Sequence, residues 1–241
     1  MNIFNIKIKV YSKEEINIVI KKNNLFTFIN PFSILEIKKK LLKEEINNFI
    51  IFVDGSLICW LLELFYKTTI ERVSFDDTSL APIVFKYAEE EKKKIYIIGA
   101  KRNIAEIASK YIIERYPNII ISKCRNGYFK DENEKNSALK EAVKSDIVIT
   151  GMGTPYQEQF LLELKNLGWQ GTGFTCGGYL DQLVEANGNN YYPNFINKFN
   201  LRWIYRIYKE PSRLWKRYFI IYPKFLFLFL LDFIKQKFKR N

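Results

Sequence analysis

The sequence contains no histidine and only three cysteines among its 241 residues. Without histidine, the chain can form neither a Ser-His-Asp triad nor a histidine metal site, so a general base must be Asp, Glu, Lys, Tyr or Cys. Cys59, Cys124 and Cys176 lack the spacing of zinc ligands and indicate no disulfide framework. The low cysteine content and the lack of a disulfide framework favour a reducing environment such as the cytoplasm.

Long hydrophobic runs are also missing. The most apolar stretch, residues 219–234, is interrupted by Pro223, Lys224 and Asp232, whereas a membrane-spanning helix needs roughly 20 apolar residues. Residues 1–11 alternate between apolar and polar side chains, which predicts a strand and not a signal peptide. No complete GxGxxG or Walker-type glycine loop occurs.

Acidic residues are fewer than basic ones, 26 against 38, and the formal net charge is +12. Most of this charge lies from Lys198 onward, where twelve basic residues are opposed only by Glu210 and Asp232. A basic segment on a nearly neutral body predicts an anionic partner, which is membrane phospholipid, phosphate or nucleic acid.

Strand and helix patterns alternate through the body of the chain. The predicted strands cover 3–10, 25–29, 49–53, 95–98, 119–122, 147–150 and 171–175. The predicted helices cover 33–45, 56–66, 103–116, 134–144 and 155–166. This alternation predicts an α/β fold, a Rossmann-like layered α/β/α arrangement with a mainly parallel sheet. We expect this domain to span 1–197, and 198–241 to form a C-terminal basic, aromatic, helical appendage that associates with the membrane.

Glycine or small polar residues follow several predicted strands, at Asp54-Gly55, Gly99-Ala100 and Gly151–Gly153. Ligands of open α/β sheets bind beyond the carboxyl ends of the strands, and glycine there lets a phosphate approach a helix N-terminus. An ordinary tight turn explains each of these glycines equally well when it is taken alone.

The segment Gly151–Glu158 is more specific. Its glycine turn leads into Pro155, a favoured first residue of a helix, and then into Gln157 and Glu158 in the first helical turn. Glu158 is either a favourable partner of the helix dipole or, together with Gln157, a group that binds a sugar or nucleotide by hydrogen bonds.

The same segment resembles the GxGxPxQE signature of the WecG/TagA/CpsF family of glycosyltransferases. Further colinear matches are Phe28–Pro31, Asp54-Gly55, Glu71–Val73 with Asp77, Gly99, Tyr116-Pro117, Gly127–Phe129, Cys176–Asp181 and Leu201–Tyr218. The resemblance covers roughly residues 25–220 and is closer to the WecG-like branch. Phe75 and Arg202 stand where the family usually has Gly and Glu.

The resemblance implies an inverting, metal-independent hexosyltransferase. It implies transfer of an N-acetylmannosamine-type sugar, its uronic acid or a related hexose from UDP to undecaprenyl-diphosphate-linked GlcNAc. It also implies Asp77 as the catalytic base, although Asp76 and Asp77 are equally good N-cap residues. The residues expected to bind substrate are Asn30, Asp54, Gly99, Gly151, Gly153, Pro155, Gln157, Glu158, Gly177, Gly178, Asp181, Arg206, Arg213 and Arg217. No metal ligand and no cofactor other than the UDP-sugar substrate is expected.

The expected partners are the UDP-sugar, the polyprenyl-diphosphate-linked acceptor and an anionic membrane surface, and nucleic acid is not expected. The sequence leaves open whether the protein forms a homo-oligomer. The expected location is cytoplasmic, peripheral at the inner face of the cell membrane. The tail 219–241 is expected in the headgroup region, with a plain buried helix as the other interpretation. Two other functions are weighed: a nucleotide-cofactor oxidoreductase, against which the missing GxGxxG counts, and a non-enzymatic basic membrane- or nucleic-acid-binding protein.

Overall fold

A six-stranded parallel sheet lies at the centre of the computed structural model, which describes residues 1–9, 11, 13–199 and 201–238. Four side chains lie outside this description, those of Lys13, Asn194, Asn197 and Arg213. The strands are β1 Asn2–Ile3, β2 Ile6–Lys7, β3 Leu25–Ile29, β4 Phe49–Val53, β5 Lys94–Gly99, β6 Ile120–Arg125, β7 Ile147–Gly151 and β8 Thr172–Thr175. The helices are α1 Lys13–Val19, α2 Pro31–Lys40, α3 Lys43–Ile46, α4 Ser56–Tyr66, α5 Leu80–Glu90, α6 Ile104–Arg115, α7 Glu132–Ala142, α8 Tyr156–Asn166, α9 Tyr179–Glu185, α10 Asn194–Lys198, α11 Arg202–Lys209, α12 Pro211–Lys216, a π-helix Arg217–Ile221 and α13 Tyr222–Phe238.

The central sheet has the strand order β4-β3-β8-β7-β5-β6, and helices cover both of its faces. β3, β7 and β8 are buried at every position, as expected for parallel strands between two helical layers. One apolar cluster joins the sheet to α2, α4, α7, α8 and α13, and a second joins it to α1, α5, α6 and α9. The predicted Rossmann-like layered α/β fold is confirmed.

The chain changes direction across the sheet between the neighbouring strands β5 and β7. β5 continues through α6 to β6 on one side, whereas β7 continues through α8 to β8 on the other side. Because such crossovers are right-handed, α6 and α8 cover opposite faces. The carboxyl ends of β5 and β7 therefore border a crevice, which is where α/β sheets of this kind bind ligands.

The N-terminal segment is not the single strand predicted over 3–10. β1 and β2 pair antiparallel, and the turn between them is Phe4-Asn5, with φ angles of 53° and 66°. A two-residue turn with left-handed backbone matches the twist of a hairpin. The Phe4 N–H donates to Asp232 Oδ2 at 2.7 Å, and the Phe4 ring packs edge-on against Phe225. Contact with α13 therefore holds Phe4 in the turn.

The C-terminal segment is helical and contributes to the core. Pro223 lies just after the π-helix Arg217–Ile221, and the helical backbone continues through it into α13. The proline thus interrupts the apolar run of the sequence but not the helix. Phe225 and Phe229 are only 0% and 2% exposed and pack on the body of the protein. The predicted boundary before residue 198 stays a prediction, and 239–241 lie outside the described residues.

Within the described residues, the structure contains no helix with both the length and the apolar content required to cross a bilayer.

Candidate active site

Closely packed glycines form the floor of a cleft of about 2380 Å³ at the carboxyl edge of the sheet. A Cβ atom on Gly99 would come 2.6 Å from the Gly151 Cα, and a Cβ atom on Gly151 would come 2.9 Å from Cys176 Sγ. The Ala100 N–H also donates to the Gly151 carbonyl at 2.9 Å. No larger residue fits at these two strand ends without moving the backbone.

Gly153 and Gly177 line the cleft for a different reason. Their φ angles are +77° and +55°, and a Cβ atom on either would meet nothing within 4 Å. The left-handed backbone, and not crowding, therefore favours glycine at both positions. Gly153 also lies just before α8, whose first backbone N–H groups have no partner within the helix. This geometry suits a phosphate group.

Asp54 follows β4 and lines the same cleft. The Arg72 guanidinium donates to Asp54 Oδ1 at 3.2 Å, and the Asp54 side chain keeps 31% exposure toward the cleft. Burial raises the pKa of the Asp54 carboxyl, and the positive charge of Arg72 partly opposes that rise. A carboxylate with a raised pKa that solvent can reach is suited to accept a proton.

Asp76 is a second carboxylate in the lining of the cleft. It accepts hydrogen bonds from Ser74 Oγ at 2.6 Å and from the Thr78 N–H at 2.8 Å, and it pairs with Arg202 at 3.1 Å. Burial acts to raise the pKa of Asp76, but the hydrogen bonds from Ser74 and Thr78 and the charges of Arg202 and Arg72 lower it overall. Asp76 is thus a fixed anion that ties α11 to the loop before α5.

An arginine cluster surrounds these two carboxylates. Five arginines line the cleft, and the arginine cluster consists of four of them, Arg72, Arg202, Arg206 and Arg217. Arg206 Nε is buried and has no hydrogen-bond partner among the described residues. Arg217 lies 4.1 Å from the centre of the Phe32 ring, which orients its guanidinium. Against Asp54, Asp76 and Glu210, which also lines the cleft, the four arginines leave one positive charge in excess, which suits a diphosphate.

The model of the glycosyl transferase WecG/TagA/CpsF family matches residues 1–240 of this chain. The chain belongs to this family. The family assignment decides against the oxidoreductase and against the non-enzymatic binding protein, and it makes the chain a hexosyltransferase.

Three curated relatives illustrate the activities in the family. The UDP-Gal:alpha-D-GlcNAc-diphosphoundecaprenol beta-1,4-galactosyltransferase of Shigella boydii is 38% identical over 218 residues, 89% of each chain. The N-acetylglucosaminyldiphosphoundecaprenol N-acetyl-beta-D-mannosaminyltransferase of Bacillus subtilis is 31% identical over 57% of this chain and 52% of its own length. The Staphylococcus aureus (strain MRSA252) enzyme of the same name is 29% identical over 64% of this chain and 58% of its own length.

In this glycosyltransferase, Glu158 of the family signature lies beneath the glycine turns and not in the cleft lining formed by the described residues. It is 0% exposed, and its Oε1 accepts hydrogen bonds from Thr27 Oγ1 at 2.7 Å, Gln157 Nε2 at 3.1 Å and Thr154 Oγ1 at 3.2 Å. Burial raises the pKa of the Glu158 carboxyl against these hydrogen bonds. Glu158, which was expected to bind substrate, is therefore buried beneath the cleft, whereas its neighbour Gln157 lines the cleft.

Asp77, the expected catalytic base, is absent from the described residues that line the cleft. Its Oδ1 accepts hydrogen bonds from Arg115 and from the Tyr179 hydroxyl, each at 2.8 Å. These contacts fasten the loop before α5 to α6 and α9. Asp76 lines the cleft and pairs with Arg202, whereas Asp77 pairs with Arg115 and is not in the described lining.

The remaining predicted residues fall into two groups. Those that line the cleft are Asn30, Gly151, Gly153, Gln157, Gly177, Gly178 and Asp181. Gly99 and Pro155 are not in the described lining and lie in the backbone that supports it. Asn30 also caps α2, since its Oδ1 accepts the Phe32 N–H at 3.0 Å. The side chain of Arg213 lies outside the described residues, so its expected role stays untested.

Among the polar residues of the cleft lining that sequence reasoning did not assign to substrate binding are Arg72, Asp76 and Arg202. The Glu-Arg-Val match contained Arg72, so a signal for it was present. Arg202 lies far from Asp76 along the chain, and only the folded structure brings them together.

Proposed function

We propose that this glycosyltransferase transfers a hexose, in the first place galactose, from UDP to undecaprenyl-diphosphate-linked GlcNAc with inversion at the anomeric carbon. The observation that carries the proposal is that one cleft combines open glycine turns, the carboxyl of Asp54 with its raised pKa, and an arginine cluster. The cleft volume of about 2380 Å³ exceeds the roughly 300–1,000 Å³ of a site for one small ligand. It has room for a donor and an acceptor.

We prefer galactose over N-acetylmannosamine as the donor sugar because the galactosyltransferase relative matches a larger share of the chain. The galactosyltransferase relative matches 89% of both chains, whereas the Bacillus subtilis mannosaminyltransferase matches little more than half of each. This preference revises the N-acetylmannosamine-type donor expected from the sequence. Both relatives are named as β-transferases, and a single in-line displacement on an α-linked nucleotide sugar gives a β product.

The UDP diphosphate is assigned to the crevice between β5 and β7. Gly153 and Gly177 leave open space there, and the N-terminus of α8 points a partial positive charge toward it. Lys101 and Arg102, which follow β5, line the same cleft and add cationic charge. These groups would stabilise the negative charge on UDP as it leaves.

Asp54 replaces Asp77 as the proposed base. The acceptor hydroxyl of GlcNAc loses its proton to the Asp54 carboxylate while its oxygen attacks the anomeric carbon. The bond between that carbon and the UDP oxygen breaks, and UDP leaves with the electron pair. Arg72 holds the Asp54 carboxylate in place for this step, and the arginine cluster binds the acceptor diphosphate.

A panel of UDP-sugars tests the proposed function. The protein is incubated with synthetic polyprenyl-diphosphate-GlcNAc and UDP-Gal, UDP-ManNAc, UDP-ManNAcA or UDP-Glc, and the products are identified by mass spectrometry. We expect transfer from UDP-Gal above the others, also in EDTA, because cationic side chains and backbone N–H groups supply the charge stabilisation. Transfer from UDP-ManNAc alone would show that the donor sugar is N-acetylmannosamine and not galactose. No transfer from any UDP-sugar would refute the proposed function.

Peripheral attachment to an anionic membrane is proposed for α13. Its outward face carries Phe227, Leu231, Ile234 and Phe238, which are exposed and spaced as one helical stripe. The inward face packs on the body through Phe225 and its neighbours. An apolar stripe flanked by lysines is typical of a helix that lies in the headgroup region.

Replacing Phe227 and Leu231 by serine should weaken sedimentation with phosphatidylglycerol vesicles roughly tenfold, because these side chains enter only the headgroup boundary. The matched control replaces Ile18 and Ile113, exposed on the body, by serine. Deleting α13 is not a suitable test, since it removes Phe225 and Phe229 from the core. Equal sedimentation of both double variants would contradict this attachment.

A further inference from the structure

We propose that Glu158 is a positioning residue, which holds the two glycine turns of the donor site at the separation that the UDP diphosphate needs. The inference rests on the proposed function, because it deepens the assignment of these turns to the donor. Glu158 lies outside the cleft lining given by the described residues, so it acts on the ligand through other side chains.

Glu158 is the centre of a buried hydrogen-bond network that joins three strand ends. Thr27 of β3 donates to Glu158 Oε1, and Thr175 of β8 donates to Thr27 Oγ1 at 3.2 Å. Thr154, in the turn after β7, donates to the same Glu158 oxygen. Because all three strands end at the cleft, this one oxygen links elements that are distant along the chain.

Gln157 transmits this arrangement to the second glycine turn. Its Nε2 donates to Glu158 Oε1 and to Thr154 Oγ1, which leaves its Oε1 to accept the Gly177 N–H at 3.3 Å. An amide side chain presents its donor on one side and its acceptor on the other. The acceptor on Glu158 therefore sets the orientation in which Gln157 holds the turn at Gly177.

The buried carboxyl of Glu158 lowers the stability of the fold, and an apolar core at this place would not have this cost. Glu158 Oε2 is buried without a hydrogen-bond partner among the described residues, and burying an unpaired polar atom is destabilising. Replacing a buried polar network as a whole by apolar side chains of similar shape is often neutral or stabilising. A carboxyl retained there fits a constraint set by function and not by stability.

The test compares Glu158→Leu with Glu158→Gln by calorimetric titration with UDP, thermal unfolding and steady-state kinetics. In Glu158→Leu we expect a lower Tm, because the donors of Thr27, Gln157 and Thr154 lose their common acceptor. We also expect roughly tenfold to hundredfold weaker UDP binding per folded molecule, as one lost charge-assisted hydrogen bond predicts. KM should rise for the UDP-sugar and stay unchanged for the lipid acceptor. Glutamine supplies a carbonyl oxygen at the same place, so Glu158→Gln should restore most of the UDP affinity.

Two further variants provide a second test of the network and a control. Thr154→Val removes one link and retains Glu158, so it should weaken UDP binding in the same direction even if Glu158→Leu folds poorly. Thr172→Val, at the amino end of β8, removes a buried hydroxyl that donates to the Lys22 carbonyl at 3.0 Å, and it should bind UDP normally.

Normal UDP binding by Glu158→Leu, or a deficit that vanishes after correction for the folded fraction, would overturn the positioning role alone. A wild-type protein that does not bind UDP would instead overturn the proposed function, and the positioning role with it.

Discussion

Replacing Asp54 by asparagine is expected to lower kcat by about 10²- to 10⁴-fold, the usual contribution of a general base. Asparagine has nearly the same shape but cannot accept the proton of the acceptor hydroxyl. Asp54 is the cleft carboxylate whose pKa burial raises, whereas Asp76 has a lowered pKa and four partners. Steady-state kinetics with both substrates measures the loss, and titration with UDP should show intact donor binding.

The pH profile adds a second readout for Asp54. A base must be deprotonated to act, so kcat falls as the pH drops through its pKa. Because burial raises that pKa, the fall should begin at a higher pH than for an ordinary aspartate, whose pKa is about 3.9. The residual activity of Asp54→Asn should lack this acidic limb.

Asp77→Asn is the matched control, since it makes the same change in the neighbouring loop. Asp77 accepts hydrogen bonds from Arg115 and Tyr179 and is not in the described cleft lining, so this variant should lose stability but keep its activity per folded molecule. Full activity in Asp54→Asn would show that Asp54 is not the general base. An inactive but folded Asp77→Asn would restore the assignment expected from the sequence.

Replacing Arg206 by alanine is the second substitution with a large expected effect. We expect kcat/KM for the lipid acceptor to fall by about 10²- to 10³-fold, as for the loss of one preorganised donor to a developing or bound anion. Arg206 lines the cleft, and its Nε is buried without a partner among the described residues. Because Arg206 borders the cleft, we expect its guanidinium to bind the diphosphate of the acceptor.

A lipid acceptor with a monophosphate in place of the diphosphate tests which phosphate group Arg206 binds. If Arg206 binds the second phosphate, Arg206→Ala should reduce the preference for the diphosphate acceptor, and Arg206→Lys should restore it only in part because lysine lacks the guanidinium fork. Lys209→Ala is the control on the same helix, since Lys209 pairs with Glu185 at 2.9 Å and is not in the described cleft lining. An unchanged preference in Arg206→Ala would contradict this role.

Local sequence pattern was sufficient for the layered fold and for the edge of the sheet that carries the site. The predicted strands over 25–29 and 49–53 coincide with β3 and β4, because parallel strands buried on both faces are continuous apolar runs. The glycine turn before α8 marks the edge of the sheet that borders the cleft, because left-handed backbone and close strand packing restrict residue choice. The helix Leu80–Glu90 was not predicted, and its Pro82 is compatible with a first turn.

The choice of side chains that face the cleft depends on long-range contacts. Asp76 and Asp77 are adjacent and chemically identical, yet they pair with Arg202 and Arg115, both distant in the sequence, and only Asp76 lines the cleft. Gln157 lines the cleft and Glu158 does not, for the same kind of reason. The fold, the family and the edge of the site can be predicted from the amino-acid sequence, because they depend on patterns within a few residues. The direction of each side chain depends on partners that meet only when distant strands pack together.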